Sequence, residues 1–331
     1  MSNVVNNIAV KTIAGSSVTA QQAPPSRRVA LTSLLGAGLL LGFTTNLAKV
    51  AHGLALAPLV YLLWSLLGAA LILVLLAALR GQVAALNRRS LEYFVVAGFL
   101  TTAGANLIFF SAVPHLGVSF VAMMIAVPPL LTYVGALWLG MERFNWWRAT
   151  GVLLALVGTV LLVARQWLAP DADIGWIALT LLGPVLLTAG NIYRSRRWPP
   201  GASAESLAPG MLVAAAAMLI VYGLALGERL TLASYSSENV GLIMLQALVF
   251  AGQFQLMFVL QKSGGPVFIS LMGGVSVVFG VPIATGLLGE PLLPGFLVSA
   301  VLVAAGIVSQ LKGWSSGVNK PLFRAAGGRV K

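Results

Sequence analysis

The sequence predicts an all-α membrane protein with ten transmembrane helices. The chain is 59% hydrophobic and only 8% charged, whereas soluble proteins carry about 25% charged residues. Its mean hydropathy is +0.95. The few charges cluster at short intervals, and the apolar runs of roughly 18–23 residues between them are long enough to cross the hydrocarbon core as helices. These runs lack the period-two alternation of barrel strands, which argues against a β-barrel.

The charged intervals divide the chain into ten predicted spans between two polar tails. We expect residues 1–28 to be a disordered cytoplasmic tail without the apolar core of a signal peptide, and residues 313–331 to be a basic cytoplasmic tail. A first repeat is predicted at 29–168 and a second at 169–312. The spans are 30–50, 57–79, 92–113, 117–139, 147–166, 174–193, 208–227, 240–261, 266–288 and 293–312.

The net charge of +12 is explained by membrane topology and does not indicate a nucleic-acid partner. Seventeen of the twenty Lys and Arg residues fall in the two tails and in the connections after the even-numbered spans. Only Lys49, Arg165 and Arg229 fall on the other side. Because positive residues mark the cytoplasmic face, this distribution predicts a multi-pass protein of the plasma (inner) membrane with both termini in the cytoplasm.

The two halves of the chain contain an internal repeat. A shift of 148 positions pairs residues 103–160 with 251–308 without a gap, and it pairs Gly117 with Gly265 and Glu142 with Glu290. Near the start of each half, a shift of 145 pairs Asn46 with Asn191, and it also pairs Lys49 with Arg194. Spans one to five therefore resemble spans six to ten.

Five is an odd number of crossings, so the second repeat enters the membrane from the opposite face. Inverted repeats of this kind are typical of secondary transporters, whose substrate site lies between the halves. Two similar halves of opposite orientation can adopt two conformations of comparable energy, each open to one side. We therefore predict two inverted five-helix repeats around a central cavity, working by alternating access.

These features resemble the drug/metabolite transporter superfamily in its ten-helix form with two EamA domains. The resemblance rests on the segments 38–49, 103–106 and 118–143 of the first half, and on 267–291 and Gly306 of the second. Within the superfamily, the chain is similar to the YddG-type exporters of aromatic and other neutral amino acids. The resemblance implies a cavity lined by spans one, three, four, six, eight and nine, and export from the cytoplasm.

Polar residues in spans one and six are candidates for binding the substrate. Asn46 and Lys49 share a helical face in span one, and Asn191 occupies the equivalent place in span six. Charged and polar groups inside membranes are expensive and often functional. Asn46 and Asn191 could instead join helices by hydrogen bonds, and Lys49 could anchor its span at the interface. We interpret the adjacent Arg194 mainly as a topology signal.

Spans three and eight each carry a mixed stripe of amide and aromatic side chains at helical spacing. Rings could stack on an aromatic side chain, while amides could bind the ammonium and carboxylate of an amino acid. Ordinary helix packing is the alternative interpretation. The stripe residues are Phe99, Asn106 and Phe110 in span three, and Gln246, Phe250 and Gln253 in span eight.

Three further residues are candidates, each with a simpler interpretation. Trp64 in span two could face the substrate or belong to an interfacial aromatic belt. Tyr133 follows Pro128 and Pro129, which interrupt the backbone ladder of span four and could open it towards a cavity. His115 lies between spans three and four, where it could act in gating or protonation or could simply be solvated.

The composition argues against an enzyme. The chain has no cysteine and two histidines, so we expect no metal site and no cofactor. No Walker-type glycine loop is present, which argues against direct coupling to ATP. The expected partners are the lipid bilayer and a small molecule, an amino acid or a related metabolite. A transporter of another metabolite, nucleotide sugar or drug is the main alternative, and a channel or structural membrane protein is a more distant one. A monomer is compatible with the sequence, which does not fix the oligomeric state.

Overall fold

The computed structural model describes residues 27–82, 86–168, 173–292 and 295–317. Within these ranges the protein is helical and contains no strand, which confirms the predicted fold class. The predicted tails 1–28 and 313–331 lie almost entirely outside the described residues.

Ten α-helices are labelled here in chain order. Six of the predicted spans (one, two, five, six, seven and ten) each match one helix, with ends that agree to within about a turn and a half. Predicted spans three and four together correspond to 88–138, and spans eight and nine together correspond to 237–286. The helices are α1 (Arg27–Gly53), α2 (Pro58–Leu79), α3 (Arg88–Gly98), α4 (Gly104–Ile125), α5 (Pro128–Trp138), α6 (Trp146–Trp167), α7 (Ile174–Arg196), α8 (Ala204–Ala225), α9 (Ser237–Gly286) and α10 (Phe296–Gly317).

Nine helical stretches among the described residues are long and apolar enough to cross a membrane. One of them, Arg88–Trp138, has 51 residues, about twice the length that one crossing requires. It is broken at Gly117, whose φ of 76° and ψ of 162° are not helical. The break divides this stretch into two crossings, so the described residues contain ten spans.

Two interruptions lie inside these crossings. A π-helical turn at Phe99–Ala103 joins α3 to α4, and such a turn inserts one residue and rotates the helix beyond it. The second lies between α4 and α5, where Pro128 begins the new helix. Close to this break, an added Cβ on Gly273 of α9 would meet the carbonyl oxygen of Ile125. Glycine is therefore required where α9 passes the interrupted helix.

The contact between α6 and α10 shows how the two halves are related. A Cβ on Gly151 would lie 2.5 Å from the carbonyl oxygen of Gly306, and a Cβ on Gly306 would lie 2.5 Å from that of Gly151. At the other end of the contact, a Cβ on Gly158 would lie 2.7 Å from the carbonyl oxygen of Ser299. The 148-residue shift converts Gly151 into Ser299 and Gly158 into Gly306. Each contact is thus the symmetry mate of the other, as a pseudo-two-fold axis requires.

Equivalent turns in the two halves also adopt equivalent conformations. Gly117 has φ 76° and ψ 162°, and its counterpart Gly265 has φ 72° and ψ −169°. Further on, the backbone N–H of Glu142 donates to the carbonyl of Ala136, and that of Glu290 donates to the carbonyl of Ala284. The sequence repeat is therefore a structural repeat at its turns.

The paired glycines give a stability prediction. Gly117→Ala forces an L residue into a backbone region that costs of order 1–3 kcal/mol, and its Cβ would also lie 2.9 Å from Oε1 of Glu290. Gly265→Ala carries the same backbone strain, but its Cβ meets no described atom within 4 Å. Thermal unfolding in detergent should show a lower midpoint for both variants and a larger drop for Gly117→Ala.

Gly241→Ala is the control, because Gly241 lies inside α9 with a helical backbone and no described atom within 4 Å of the added Cβ. Its midpoint should stay the same or rise slightly. Equal loss in all three variants would contradict the role given to the two turns.

Candidate functional site

A central cavity lies between the two halves of the bundle. Its volume is about 50 Å³, enough for a few water molecules and well below the roughly 300–1,000 Å³ of ligand pockets. In this structure the central cavity is therefore smaller than an ordinary ligand pocket. The lining comes from spans one, three, four, six, eight and nine. It comprises Leu41, Thr101, Asn106, Phe109, Ile125, Pro128, Leu187, Asn191, Arg194, Gln253, Phe254, Met257, Ile269, Ser270, Met272 and Gly273.

Three of the predicted binding residues meet at this cavity: Asn106, Asn191 and Gln253. Their amides give a polar patch in an otherwise apolar chamber. Arg194 also lines the cavity, although we interpreted it from the sequence mainly as a topology signal. Its pairing with Lys49 in the repeat was the signal that could have singled it out.

A hydrogen-bond chain holds Gln253 in place. The Tyr61 hydroxyl donates to Oε1 of Gln246 (3.1 Å), and Nε2 of Gln246 donates to Oγ1 of Thr44 (3.1 Å). Thr44 then donates to Oε1 of Gln253 (3.0 Å). With its oxygen occupied, Gln253 has its Nε2 donor available at the cavity. Gln246 itself is buried behind Thr44 and supports Gln253 without lining the cavity.

A stack of aromatic rings runs alongside this chain. The Tyr61 and Phe110 rings are stacked with centroids 5.7 Å apart, and Phe110 stacks on Phe250 at 6.2 Å. Phe250 contacts Phe254 at 5.7 Å, and Phe254 reaches the cavity. Phe110 and Phe250, which the sequence predicts to touch the substrate, instead buttress the ring that lines the cavity in this conformation.

Asn46 joins two helices. Its Nδ2 donates to the carbonyls of Gly42 on its own helix (2.8 Å) and of Gly280 on α9 (2.9 Å). The backbones approach closely there, since a Cβ on Gly42 would lie 2.9 Å from the nitrogen of Gly280. Of the two roles considered for Asn46, this geometry favours the structural one.

Lys49 forms an ion pair at one end of the bundle. Its Nζ lies 2.9 Å from Oε2 of Glu290. The same carboxylate accepts hydrogen bonds from the backbone N–H groups of Val118 (2.9 Å) and Ser119 (2.7 Å). These two residues begin the helix that follows the Gly117 break, so the carboxylate caps its positive N-terminus. Glu290 thus ties the loop after α9 to α1 and α4.

The environment of Glu290 shifts its pKa. Burial by itself raises the pKa of the carboxyl group, but the hydrogen bonds from Lys49, Ser119 and Val118 outweigh that effect. The net result is a pKa below the ordinary value. The carboxylate is therefore charged over the physiological range and keeps its ion pair with Lys49.

The opposite end of the bundle is arranged differently. Glu142 is the counterpart of Glu290 in the repeat, yet it pairs with Arg148 at 2.8 Å. Arg148 also lies over the Tyr133 ring, 5.9 Å from its centroid. The counterpart of Lys49 is Arg194, which forms no ion pair with any described carboxylate. The two ends of this conformation are therefore not equivalent.

Four predicted residues lie away from the cavity. Phe99 is 50% exposed on the outside of the bundle, because the π turn that begins at it rotates α4 relative to α3. The indole of Trp64 donates to the carbonyl of Leu230. The Tyr133 hydroxyl bonds to the backbone of Asn145, accepting from N–H at 2.8 Å and lying 3.3 Å from the carbonyl. None of these side chains faces the polar patch.

The fourth predicted residue that lies away from the cavity is His115, which stacks on Trp176 at the surface. Its ring centroid lies 4.2 Å from that of Trp176, and its Nδ1 lies 3.5 Å from Oδ2 of Asp173. Asp173 also caps α7 by accepting from the N–H of Trp176. This cluster positions the start of α7, far along the chain from the cavity-lining end of that helix.

With this geometry in place, the sequence can be compared with known proteins. Residues 28–164 match the EamA-like transporter family. This EamA-like region begins in α1, ends in α6 and coincides with the first predicted repeat. No curated protein matches the sequence.

The crystal structure of another protein is similar to most of the molecule. The similarity covers 87% of this chain and 99% of the other, with a TM-score of 0.65 and 19% identity. At that identity the likeness concerns the fold alone. It extends well beyond the EamA-like region, so both halves follow an architecture already seen in a solved structure.

The capped ion pair gives a prediction of pH dependence. Because its folded-state pKa is lowered, Glu290 stabilises the protein fully above about pH 4.3, and this contribution disappears as pH falls through the folded-state pKa. Glu290→Gln should lower stability by about 1–3 kcal/mol at neutral pH. Thermal midpoints of the two proteins should converge as the pH is lowered below about 4.

Glu205→Gln is the matched control, since Glu205 forms a more exposed pair with Arg80 at 3.3 Å. Glu205→Gln should lower the free energy of unfolding by no more than about 1 kcal/mol. If Glu290→Gln and the wild type have the same thermal midpoint at pH 7, Glu290 does not stabilise the protein as a helix cap.

Proposed function

We propose that this multi-pass membrane protein is a secondary transporter of the drug/metabolite type that moves a small organic solute. The observation that carries the proposal is a cavity with amide and guanidinium groups, enclosed between the inverted halves of an apolar helical bundle. A purely structural membrane protein has no use for such groups, because unsatisfied polar atoms in this environment are costly. The EamA-like match over residues 28–164 supports the same class.

The finer proposal is export of aromatic or other neutral amino acids across the plasma membrane. Asn106 and Gln253 would bind the polar backbone of the amino acid, and Phe109 and Phe254 would contact its side chain. Transport requires the cavity to widen towards one side at a time. At one end the Lys49–Glu290 pair joins the two halves, whereas Glu142 at the other end pairs with Arg148 of its own half, which supports a protein closed at the first end.

Counterflow in proteoliposomes tests this function. Vesicles loaded with unlabelled phenylalanine should take up labelled aromatic and neutral amino acids with saturable kinetics. Asn106→Ala and Gln253→Ala should each reduce apparent affinity or uptake by roughly fivefold to tenfold, since a lost hydrogen bond is worth about 1 kcal/mol. Their thermal midpoints report whether folding is preserved.

Phe99→Ala is the control, because Phe99 lies outside the bundle and away from the cavity. It should transport like the wild type. Movement of a nucleotide sugar or a cationic drug with no movement of amino acids would reassign the substrate, and uptake that never saturates would favour a channel.

The proposed topology has a separate test, made simple by the absence of native cysteine. Gln82 lies after α2 and Tyr235 lies before α9, and both are exposed. An impermeant maleimide added to intact cells should label Tyr235→Cys but not Gln82→Cys, and permeabilised cells should show both. Labelling of Gln82→Cys in intact cells would invert the proposed orientation.

A further inference from the structure

Arg194 is a buried cation without a protein anion among the described residues. It is 1% exposed near the end of α7. Its Nη2 donates to Oδ1 of Asn191 (2.9 Å), its Nη1 lies 3.3 Å from the sulfur of Met257, and the Phe258 ring lies 5.7 Å from its guanidinium carbon. All three neighbours are neutral. The guanidinium therefore has no counter-charge among the described residues, although the ring face and the amide oxygen attract it weakly.

Such an arrangement is unusual for a folded protein. Arginine keeps its charge in essentially all protein environments, and buried charges are normally paired. Here the Nε–H donor also has no hydrogen-bond partner. Because Arg194 lines the central cavity, an orphaned donor and an uncompensated charge lie beside the same space. An anion in the cavity would satisfy both.

The internal repeat shows which partner is missing. Lys49 of the first half pairs with Glu290 of the second. The symmetry-equivalent pair would join Arg194 of the second half to Glu142 of the first, but Glu142 pairs with Arg148. Arg194 occupies the position equivalent to Lys49 but forms no ion pair with the described residues. No carboxylate of the described residues takes the place of that partner in this conformation.

The lining of the cavity limits the chemistry of that anion. Arg194 is the single charged residue among the described residues that line it, and one guanidinium balances one negative charge. The planar fork of arginine matches a carboxylate bidentately. A phosphate dianion would keep an uncompensated charge in a mostly apolar chamber. The neutral amides of Asn106 and Gln253 and the rings of Phe109 and Phe254 complete the lining.

We propose that Arg194 binds the carboxylate of the transported solute, which is therefore a monocarboxylate or a zwitterionic amino acid. This inference rests on the proposed function and adds the group that the substrate must carry. Entry of the solute widens the cavity, and the carboxylate accepts hydrogen bonds from Nε and Nη2, displacing Asn191 from its contact. Arg194 is thus the anchor, and the amides orient the rest of the molecule.

Binding to the purified full-length protein in nanodiscs tests the anchor. The probes are phenylalanine, 3-phenylpropionate, which keeps the carboxylate, and phenethylamine, which lacks it. The first two should bind and phenethylamine should not. Arg194→Gln should weaken binding of both carboxylates by at least about tenfold, as expected for loss of a charge-assisted pair, and Arg194→Lys should recover part of the affinity. Arg196→Gln, an exposed neighbour, should bind like the wild type.

Stability without ligand provides a second readout, independent of transport. If Arg194 awaits an external anion, Arg194→Met removes an uncompensated buried charge and should leave the thermal midpoint unchanged or raise it. A clear drop would instead identify a structural residue and overturn the proposal. Added phenylalanine should raise the midpoint of the wild type but not that of Arg194→Met.

The remaining outcomes separate this inference from the proposed function. Equal binding of phenethylamine, unchanged affinity in Arg194→Gln, or binding of none of the probes would each reject the carboxylate anchor. Binding of inorganic phosphate in place of the carboxylates would reject it as well. In any of these cases, saturable counterflow of another solute would still support the proposed transporter. Carboxylate binding that depends on Arg194 but occurs without any counterflow would reject transport and support the binding site.

Discussion

The hydrocarbon core of a membrane supplies no water, so every polar group between helices must find its partner inside the bundle. This constraint governs the few polar residues of a chain that is only 8% charged. The amide nitrogen of Asn46 donates to carbonyls exposed at a glycine contact, and Gln246 bonds to the hydroxyls of Tyr61 and Thr44. Where a polar group is satisfied, it organises helices. Arg194 differs because it carries a charge, lines the cavity and has no counter-charge among the described residues.

The inverted repeat gives this constraint a mechanical consequence. The two halves present the same groups at opposite ends, and the mirrored glycine contacts between α6 and α10 hold the halves together symmetrically. The charged groups depart from that symmetry. Glu290 ties α1 to the start of a broken helix, while Glu142 turns to a local arginine. Equivalent halves with unequal ends are the arrangement that the proposed alternating access needs.

Much of the architecture could be predicted because hydropathy and repeat spacing are local properties of the chain. The spans and the interruption at Pro128 appear where expected. The six cavity-lining spans are those that the family resemblance implies. The site was less predictable. A regular helix would place Phe99 on the face of Asn106, but the π turn at Phe99–Ala103 rotates the two apart. No composition signal announces such a turn. Asn106, Asn191 and Gln253 do reach the cavity, since no irregularity separates them from the predicted faces.

The sequence alone determined that the chain crosses a membrane in ten helices and repeats itself in inverted form, because apolar length and periodic identity need no knowledge of neighbours. Only the tertiary structure decided which polar residues are satisfied, because a partner can lie far along the chain. Lys49 and Arg194 look alike in the repeat, and a carboxylate 241 residues from Lys49 neutralises only the first. That difference in pairing turns a basic residue, first interpreted as a mark of topology, into the proposed anchor of the site.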